Sequence, residues 1–268
     1  MVRHCLTNLI TVLLKTKSLV KSLFCIVFKY YTYVHKITRD TSITIGNSVF
    51  HGCAFETMTL PESVTSLGSD VFGDNDSLTY LNMANIDDGI TEVPAYFLTD
   101  CSNLEEVVLP SFITSIDQNA FKDCKALETI NLPSGITQIG YFAFSNCDAL
   151  TSLTLPSALI SIGPGAFNSC DGLTSVVIPS NVTTIEYNAF AYCNNLENVT
   201  LPDSLERIDS YAFSSIPCTT FVYIGDDAQW SLFKDDRDAN WTDWPDEENA
   251  KFIQTTDSTW DLYNVESR

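Results

Sequence analysis

Hydrophobic and polar residues alternate along short segments of the chain, and closely related segments return further along. In LTSLTL (residues 150–155) the three leucines face one way, while the serine and the second threonine face the other. Alternation over a few residues, closed by Pro156, predicts a short, half-buried β-strand. If the copies stack in parallel, neighbouring strands lie about 4.8 Å apart. The equivalent segments are LTYLNM, LEEVVL, LETINL, LTSVVI and LENVTL.

A second hydrophobic pattern follows each proline. In SGITQIGYFAF the spacing of Ile136 and Ile139 points both side chains inward, and Ala143 and Phe144 come next. This predicts a second short extended piece, followed by about one helical or 3-10 turn. The small residue in the alanine slot predicts that backbone from another coil approaches closely there. We expect the phenylalanine to fill the wide corner of each coil.

The whole unit repeats every 23 residues. A fixed period between about 20 and 50 residues is typical of a solenoid, in which each unit contacts only its neighbours. With degenerate copies before residue 110, including three extra residues near Asp87, we predict about eight units in one elongated domain over residues 41–224. The repeating positions are Pro110, Pro133, Pro156, Pro179 and Pro202; Phe121, Phe144, Phe167, Phe190 and Phe213; and Cys124, Cys147, Cys170 and Cys193.

The string LxxLxLPxxIxxIGxxAFxxCxxLxxLxLP resembles the BspA-type leucine-rich repeat, the 23-residue class with AF and C in its variable half. The resemblance covers about residues 43–224. It implies a leucine-rich-repeat solenoid that is arc-shaped, with a parallel β-sheet on one face and short extended, 3-10 or helical turns in each repeat. It also implies kinship with proteins that are often secreted or on the cell surface and that bind other proteins or host matrix.

The charge of the chain is strongly acidic and unevenly distributed. The formal net charge is -20, yet residues 41–268 carry 7 bases against 33 acids. Phosphate binding needs clustered lysine or arginine, so this composition argues against nucleic acid and anionic membrane surfaces as partners of the repeats. A protein or peptide partner, particularly a basic one, is easier to accommodate.

Nine cysteines are present, and five of them share one slot of the repeat. In-register side chains point in parallel, whereas a disulfide needs converging Cβ vectors. We therefore predict a structural ladder of buried thiols that behave as small hydrophobic groups. No CxxC or HxxxH spacing occurs, so no metal site is predicted. The ladder comprises Cys101, Cys124, Cys147, Cys170 and Cys193.

Catalytic chemistry finds little support in the sequence. The only histidines are His4, His35 and His51, so the repeats lack an ordinary catalytic triad. Glu105 and Glu106 are adjacent in a predicted strand and therefore face opposite ways. No glycine-rich phosphate loop is present. We predict a protein that is not an enzyme and that needs no cofactor.

The outward face of the predicted sheet is the best candidate for a binding surface. Small polar residues on a rigid sheet suit an extended partner, although the same residues also keep an exposed sheet soluble. Both interpretations stay open on sequence grounds. The candidate partner-binding residues are Glu106, Val108, Thr129, Asn131, Ser152, Thr154, Ser175, Val177, Asn198 and Thr200.

The two ends of the chain depart from the repeat. Residues 1–40 are apolar and basic, and they fit a targeting or anchoring segment, an amphipathic helix over the first coil, or an extension without a folded role. Membrane association through this segment is therefore left open. Residues 225–268 hold all four tryptophans and fit an acidic cap or tail. A calcium-loop alternative uses Asp236, Asp238, Asn240 and Glu247, but Trp241 stands where such a loop needs glycine.

These features favour a non-enzymatic protein-interaction or adhesion scaffold. Two alternatives remain: a structural or cell-envelope protein without a tight ligand, and a calcium- or glycan-responsive module acting through residues 225–268. Four N-x-[ST] sequons, at Asn75, Asn181, Asn198 and Asn240, are compatible with secretion. The compartment is left open, with a cell-surface or secreted location slightly favoured.

Overall fold

Each repeat forms one coil of a stack, with its leucine-rich segment on one side and its isoleucine-rich segment on another. The computed structural model describes residues 42–217, residues 220–224 and the backbone of residues 251–254. The predicted leucine-rich-repeat solenoid with parallel strands is confirmed. Among the described residues the variable part of each coil forms hydrogen-bonded turns, with no helix or 3-10 segment.

The leucine-rich segments form what we call the front sheet. It consists of two four-stranded parallel sheets, ordered β2-β4-β6-β8 and β11-β13-β15-β16, and its strands hold equivalent positions of the repeat except β16, which comes from residues 251–254 beyond the repeats. Buried leucine, valine and isoleucine side chains alternate with outward residues along these strands. The strands are β2 (Thr57–Thr59), β4 (Tyr80–Asn82), β6 (Glu106–Val108), β8 (Thr129–Ile130), β11 (Ser175–Val177), β13 (Asn198–Leu201), β15 (Thr220–Tyr223) and β16 (Lys251–Gln254).

The isoleucine-rich segments form a back sheet, which the sequence indicated only as short extended pieces. Its order is β14-β12-β10-β9-β7-β5, all parallel, and a separate pair joins β1 to β3. Ile136 and Ile139 are fully buried, as their spacing predicts. The strands are β1 (Ile43–Ile45), β3 (Val64–Leu67), β5 (Glu92–Val93), β7 (Ser115–Ile116), β9 (Gln138–Ile139), β10 (Ser161–Ile162), β12 (Thr184–Ile185) and β14 (Arg207–Ile208).

The turn segments, which we call the turn face, are also hydrogen-bonded from coil to coil. The Phe121 amide donates to the Ala143 carbonyl at 2.8 Å, and the Phe144 amide donates to the Ala166 carbonyl at the same distance. Backbone of the preceding coil therefore passes close to the alanine slot, as the small side chain there predicts. Within residues 42–217, two positions in each of eight coils have positive φ, one before the alanine slot and one before the cysteine slot.

A continuous apolar core runs between the three hydrogen-bonded faces. Phenylalanine rings stack along its axis, with centroids 4.9 Å apart for Phe121 and Phe144 and 5.4 Å apart for Phe144 and Phe167. All three side chains are fully buried. Identical side chains meet in successive coils because the 23-residue period returns each position to the same place.

Candidate functional site

The front sheet presents two outward rows of side chains, and most of the predicted binding residues lie in them. Glu106 pairs in register with Thr129, and Ser175 pairs with Asn198. These four residues are exposed, while their neighbours along each strand are buried. Val177 extends the second row and is 58% exposed, so the face is not uniformly polar. Asn131 is also exposed, and Val108 is half-buried.

The front sheet is interrupted in the middle of the predicted surface. Ser152 and Thr154 are exposed, and Leu153 and Leu155 are buried, so the alternation of the predicted strand is kept. The segment nevertheless forms no β-strand, which corrects the expectation of a ladder through every unit. Contact with the core is enough to orient alternate side chains, whereas a strand also needs paired backbone groups. The candidate surface therefore has two regular parts joined by an irregular coil.

Thr200 is the one predicted surface residue that the structure buries, with 8% exposure. It lies in β13 between Val177 and Val222, its partners in register on the two neighbouring strands. Thr200 therefore has a β-branched neighbour in register on each side, and only a small part of it stays accessible. Thr200 is therefore a packing position, and the prediction of an outward partner contact at this residue is wrong.

The five cysteines of the ladder lie in the core with no exposed surface, and all are free thiols. Each Sγ–H donates to a main-chain carbonyl of the preceding coil: Cys147 to Phe121 at 3.3 Å and Cys170 to Phe144 at 3.1 Å. Asn75 takes the same slot and donates through Nδ2 to the Phe50 carbonyl at 2.8 Å. In these six coils the slot therefore holds a small donor that reaches backbone oxygen. Burial of Asn75 also removes its sequon from the folded surface.

Burial raises the pKa of every thiol in this ladder. The pKa of Cys101 and that of Cys193 rise to about 12, and those of Cys124, Cys147 and Cys170 rise well above the ordinary value. Loss of hydration disfavours the thiolate, and nearby carboxylates, such as Asp76 at Cys101 and Asp171 at Cys193, disfavour it further.

The ladder thiols are therefore expected to resist alkylation in the folded protein. At pH 8, iodoacetamide should modify the five cysteines at least about a hundredfold more slowly than in 8 M urea, because the thiolate is the reactive form and the sulfur is inaccessible. Peptide mapping by mass spectrometry after timed alkylation measures each site separately. Rapid modification of Cys147 or Cys170 without denaturant contradicts a closed core.

Acidic residues dominate the surface of the coils. Residues 42–217 hold 21 acids and three bases, which are Lys122, Lys125 and Arg207. Burial opposes ionisation of Asp123, yet hydrogen bonds from Lys122 and Asn146 bring its pKa below the ordinary value. The pKa of Asp148 is raised by burial and by the nearby charge of Asp171. Most acids therefore have no basic partner, and the scaffold carries a strong negative field.

The single histidine of the repeats does not build a hydrolytic site. His51 Nδ1 lies 3.0 Å from Asp70 Oδ1, and Ser48 Oγ donates to the other carboxylate oxygen of Asp70 at 2.7 Å. A serine triad needs the imidazole between the hydroxyl and the acid. In this cluster the carboxylate takes the central position, so the imidazole is not placed to activate the hydroxyl. The cluster ties two coils together instead.

Other candidate chemistry falls partly outside the described residues. Within the described part of the chain, no group of three or more His, Cys, Asp or Glu side chains is arranged to hold a metal ion. The calcium-loop candidate at residues 236–247 and the segment 1–40 lie outside the described residues. No helix of the described chain has the length and apolar character to cross a membrane.

Sequence reasoning missed the surface made by the turn face. Several tyrosines are 39–50% exposed there, and three of them, Tyr96, Tyr192 and Tyr211, have positive φ. The sequence did contain a signal for these turns. Asn, Asp, Ser or Gly recurs at the two slots where the backbone is left-handed, and these residues tolerate that conformation best. The tyrosines gave no comparable signal because they do not hold a single slot in every unit.

Known proteins provide an independent comparison. The BspA type Leucine rich repeat region matches the chain in six copies, over residues 21–124 and 91–221, which is more than half of the sequence. No curated protein matches the chain.

The first of three solved structures compared with the chain supports the same fold. A leucine-rich repeat protein from Bacteroides ovatus ATCC 8483 aligns with a TM-score of 0.62 and 25% identity, over 80% of this chain and 55% of that one. The chain thus corresponds to about half of that protein. The T. pallidum Leucine Rich Repeat protein aligns with 26% identity and a TM-score of 0.46, over 65% of this chain and 69% of that chain. A leucine rich cell surface protein from Faecalibacterium prausnitzii A2-165 aligns with 21% identity and a TM-score of 0.28, over 72% and 85% of the two chains.

Proposed function

Because the chain belongs to the BspA-type leucine-rich repeat family, we propose that it is a non-enzymatic scaffold whose front sheet binds an extended protein or peptide partner. The family is typical of surface or adhesion proteins. The partner is expected to be basic, since the coils carry 21 acids and three bases over residues 42–217. Neither a cofactor nor a nucleic acid enters this proposal.

The observation that carries the proposal is the pair of outward rows on the front sheet. In β11 and β13, Ser175 lies opposite Asn198, and both present short hydrogen-bonding side chains to solvent. Coil-to-coil hydrogen bonds on three faces hold these positions fixed, so a partner loses little affinity to ordering of the scaffold. Val177, at 58% exposure, adds an apolar contact beside the polar ones.

The main alternative is a structural protein whose front sheet binds nothing tightly. Polar outward rows also fit that role, because an exposed parallel sheet needs them for solubility. The two functions differ in one measurable respect: a scaffold loses its partner when the rows are blocked, and a structural protein has no partner to lose. The calcium- or glycan-responsive module concerns residues 225–268, and calorimetry of the full chain with millimolar calcium tests it.

We expect three lysines on the front sheet to abolish partner binding without unfolding the protein. Peptides selected from a random display library against the full chain provide defined partners. For such peptides, the variant Thr129→Lys/Ser152→Lys/Ser175→Lys should bind at least about tenfold more weakly, because the long side chains cover the rows and oppose a basic partner. Fluorescence anisotropy measures the affinity, and circular dichroism checks the fold.

The back sheet of the same coils offers a matched control. Gln138, Ser161 and Thr184 lie in β9, β10 and β12 and are exposed or half-buried. The variant Gln138→Lys/Ser161→Lys/Thr184→Lys adds the same charge to the other side of the solenoid and should leave affinity within about twofold. If selected peptides bind both variants equally, the front sheet is not the binding surface.

A further inference from the structure

Aromatic and proline side chains form an exposed strip across four consecutive coils of the turn face. We call it the aromatic strip, and it contains Tyr141, Phe142, Pro164, Tyr187 and Tyr211. Tyr141 and Tyr187 are each 49% exposed, and Tyr211 is 39% exposed, although tyrosine rings carry a large apolar surface. None of these residues belongs to the front-sheet rows, so the strip is a surface of its own.

Ring contacts and backbone bonds make the first half of the strip continuous. The rings of Tyr141 and Phe142 meet edge to face with centroids 4.3 Å apart. The Phe142 amide donates to the Pro164 carbonyl of the next coil at 3.0 Å. The Phe142 ring then lies over Gly165, where a Cβ would stand only 2.6 Å from a ring carbon. Gly165 has φ of +63° and no Cβ, so the Phe142 ring can cover the next coil at this position.

The second half continues across the next two coils. The Gly165 amide donates to the Tyr187 carbonyl at 2.8 Å. The rings of Tyr187 and Tyr211 then meet edge to face with centroids 5.7 Å apart. At about 4.8 Å for each coil, the strip is about 14 Å long. That length matches four or five residues of an extended peptide, which rises about 3.3 Å per residue.

The charges around the strip are almost all negative. Residues 126–206 include seven acids and no lysine or arginine. Glu186 directly precedes Tyr187 in the chain, and it occupies the same slot as Asp209 in the next coil. Arg207 is the one base in residues 126–217, and its Nε lies 3.0 Å from Asp209 Oδ1. The aromatic strip therefore lies in an acidic part of the chain, where this base is already paired with a carboxylate.

We propose that the aromatic strip is a second interaction surface, which binds a short cationic peptide segment rich in arginine or lysine. The faces of tyrosine rings attract guanidinium and ammonium groups, and the aliphatic stems of these side chains pack on the rings. Surrounding carboxylates raise the local concentration of a cationic ligand. Tyrosine is also enriched among the residues that dominate binding energy at interfaces. The strip acts independently of the front sheet.

Fluorescence anisotropy with the full chain and a fluorescein-labelled (Arg-Gly)4 peptide tests this surface. The double variant Tyr187→Ala/Tyr211→Ala should weaken binding at least about tenfold, and Glu186→Gln should weaken it about threefold. Raising the salt from 50 to 500 mM should weaken binding of the wild-type chain several-fold, because exposed charges are screened. Circular dichroism confirms that the variants keep the fold.

Tyr96 provides the matched control for the tyrosine variants. It is 41% exposed in a left-handed turn position, in a coil separated from Phe142 by one other coil. Tyr96→Ala should leave binding of (Arg-Gly)4 unchanged. When Tyr187→Ala/Tyr211→Ala is added to the front-sheet variant Thr129→Lys/Ser152→Lys/Ser175→Lys, affinity for (Arg-Gly)4 should fall by the same factor as in the wild-type chain. This result separates the aromatic strip from the proposed front-sheet site.

Three results overturn the assignment. Equal binding of (Glu-Gly)4 and (Arg-Gly)4 removes the cationic specificity. Unchanged affinity in Tyr187→Ala/Tyr211→Ala places the peptide elsewhere on the acidic surface. Tyrosine-dependent binding of a β-linked oligosaccharide, without binding of the cationic peptide, reassigns the strip to sugar stacking.

Discussion

Between pH 8 and pH 10 the free energy of unfolding is expected to fall by about 7 kcal/mol. The ordinary thiol pKa is 9.0, whereas burial raises the pKa of Cys101 and Cys193 to about 12 and that of the other three ladder thiols well above 9.0. At pH 10 the five thiols therefore ionise in the unfolded chain but stay protonated in the folded one. Each such mismatch costs about 1.4 kcal/mol for one pH unit above the unfolded pKa.

The direction follows from counting bound protons. Above pH 9 the folded protein holds more thiol protons than the unfolded chain, so stability falls as the pH rises. The full contribution is present below pH 9 and is lost between pH 9 and the raised pKa values of the folded thiols. The expected loss is comparable with the whole stability of a typical domain, about 5–15 kcal/mol. The solenoid should therefore unfold in alkali at a pH where its carboxylates have long been ionised.

Urea titrations followed by circular dichroism at pH 7, 8, 9 and 10, under argon, measure this fall. The variant Cys147→Ala/Cys170→Ala isolates the thiol contribution, since it removes two of the five groups. Its stability is lower at every pH because two donors and some packing are lost, but its fall between pH 8 and pH 10 should shrink by about two fifths. An identical fall in both proteins assigns the alkaline transition to other groups, such as tyrosines.

The second large effect is expected from the phenylalanine stack. Phe144→Ala should destabilise the protein by about 3–5 kcal/mol, because it empties a fully buried ring position between Phe121 and Phe167. The loss of ring stacking is included in that range. Since each coil contacts only its neighbours, a void in a central coil also weakens the coupling between the two halves of the array. The urea transition should therefore become broader as well as earlier.

Two comparison variants make the Phe144 measurement specific. Leu98 takes the phenylalanine slot in its own coil, where its amide donates to the Ala120 carbonyl at 2.8 Å and its carbonyl accepts from Cys124. Phe144→Leu should accordingly cost about 1–2 kcal/mol. Tyr141→Ala removes an aromatic ring from the same turn but from a half-exposed position, and it should cost less than about 1 kcal/mol. A loss near that value for Phe144→Ala contradicts a shared core.

The sequence predicts the buried positions of this protein more completely than the arrangement of its surface. Ile136, Phe144 and Cys147 were predicted to be buried from the period alone, and each has no exposed surface. A residue that returns every 23 positions meets the same neighbours in every coil, so its environment is fixed by its slot. The hydrogen bond made from the cysteine slot could not be predicted from the sequence, because the carbonyl that accepts it belongs to another coil. Asn75, which takes this slot in one copy, is the only hint that a donor is needed there.

Features that depend on particular neighbours escaped the sequence. Thr200 has the pattern of an outward residue but is buried between strands that place Val177 and Val222 in register beside it. The aromatic strip likewise uses two adjacent slots of the repeat, one holding Tyr141 and Tyr187 and the other Phe142 and Tyr211, and neither slot is aromatic in every unit. The rings come together because consecutive coils, 23 residues apart in sequence, pack side by side.

The sequence by itself determined the stacked parallel coils, the composition of their core and the acidic character of their surface, because these depend on a regular period and on charge. The tertiary structure alone decided that the variable segments form turns bonded between coils, that the front sheet breaks at Ser152 and Thr154, and that exposed tyrosines meet on the turn face. Each of these depends on the distance between backbone or side-chain atoms of different coils, and a one-dimensional pattern does not contain that distance.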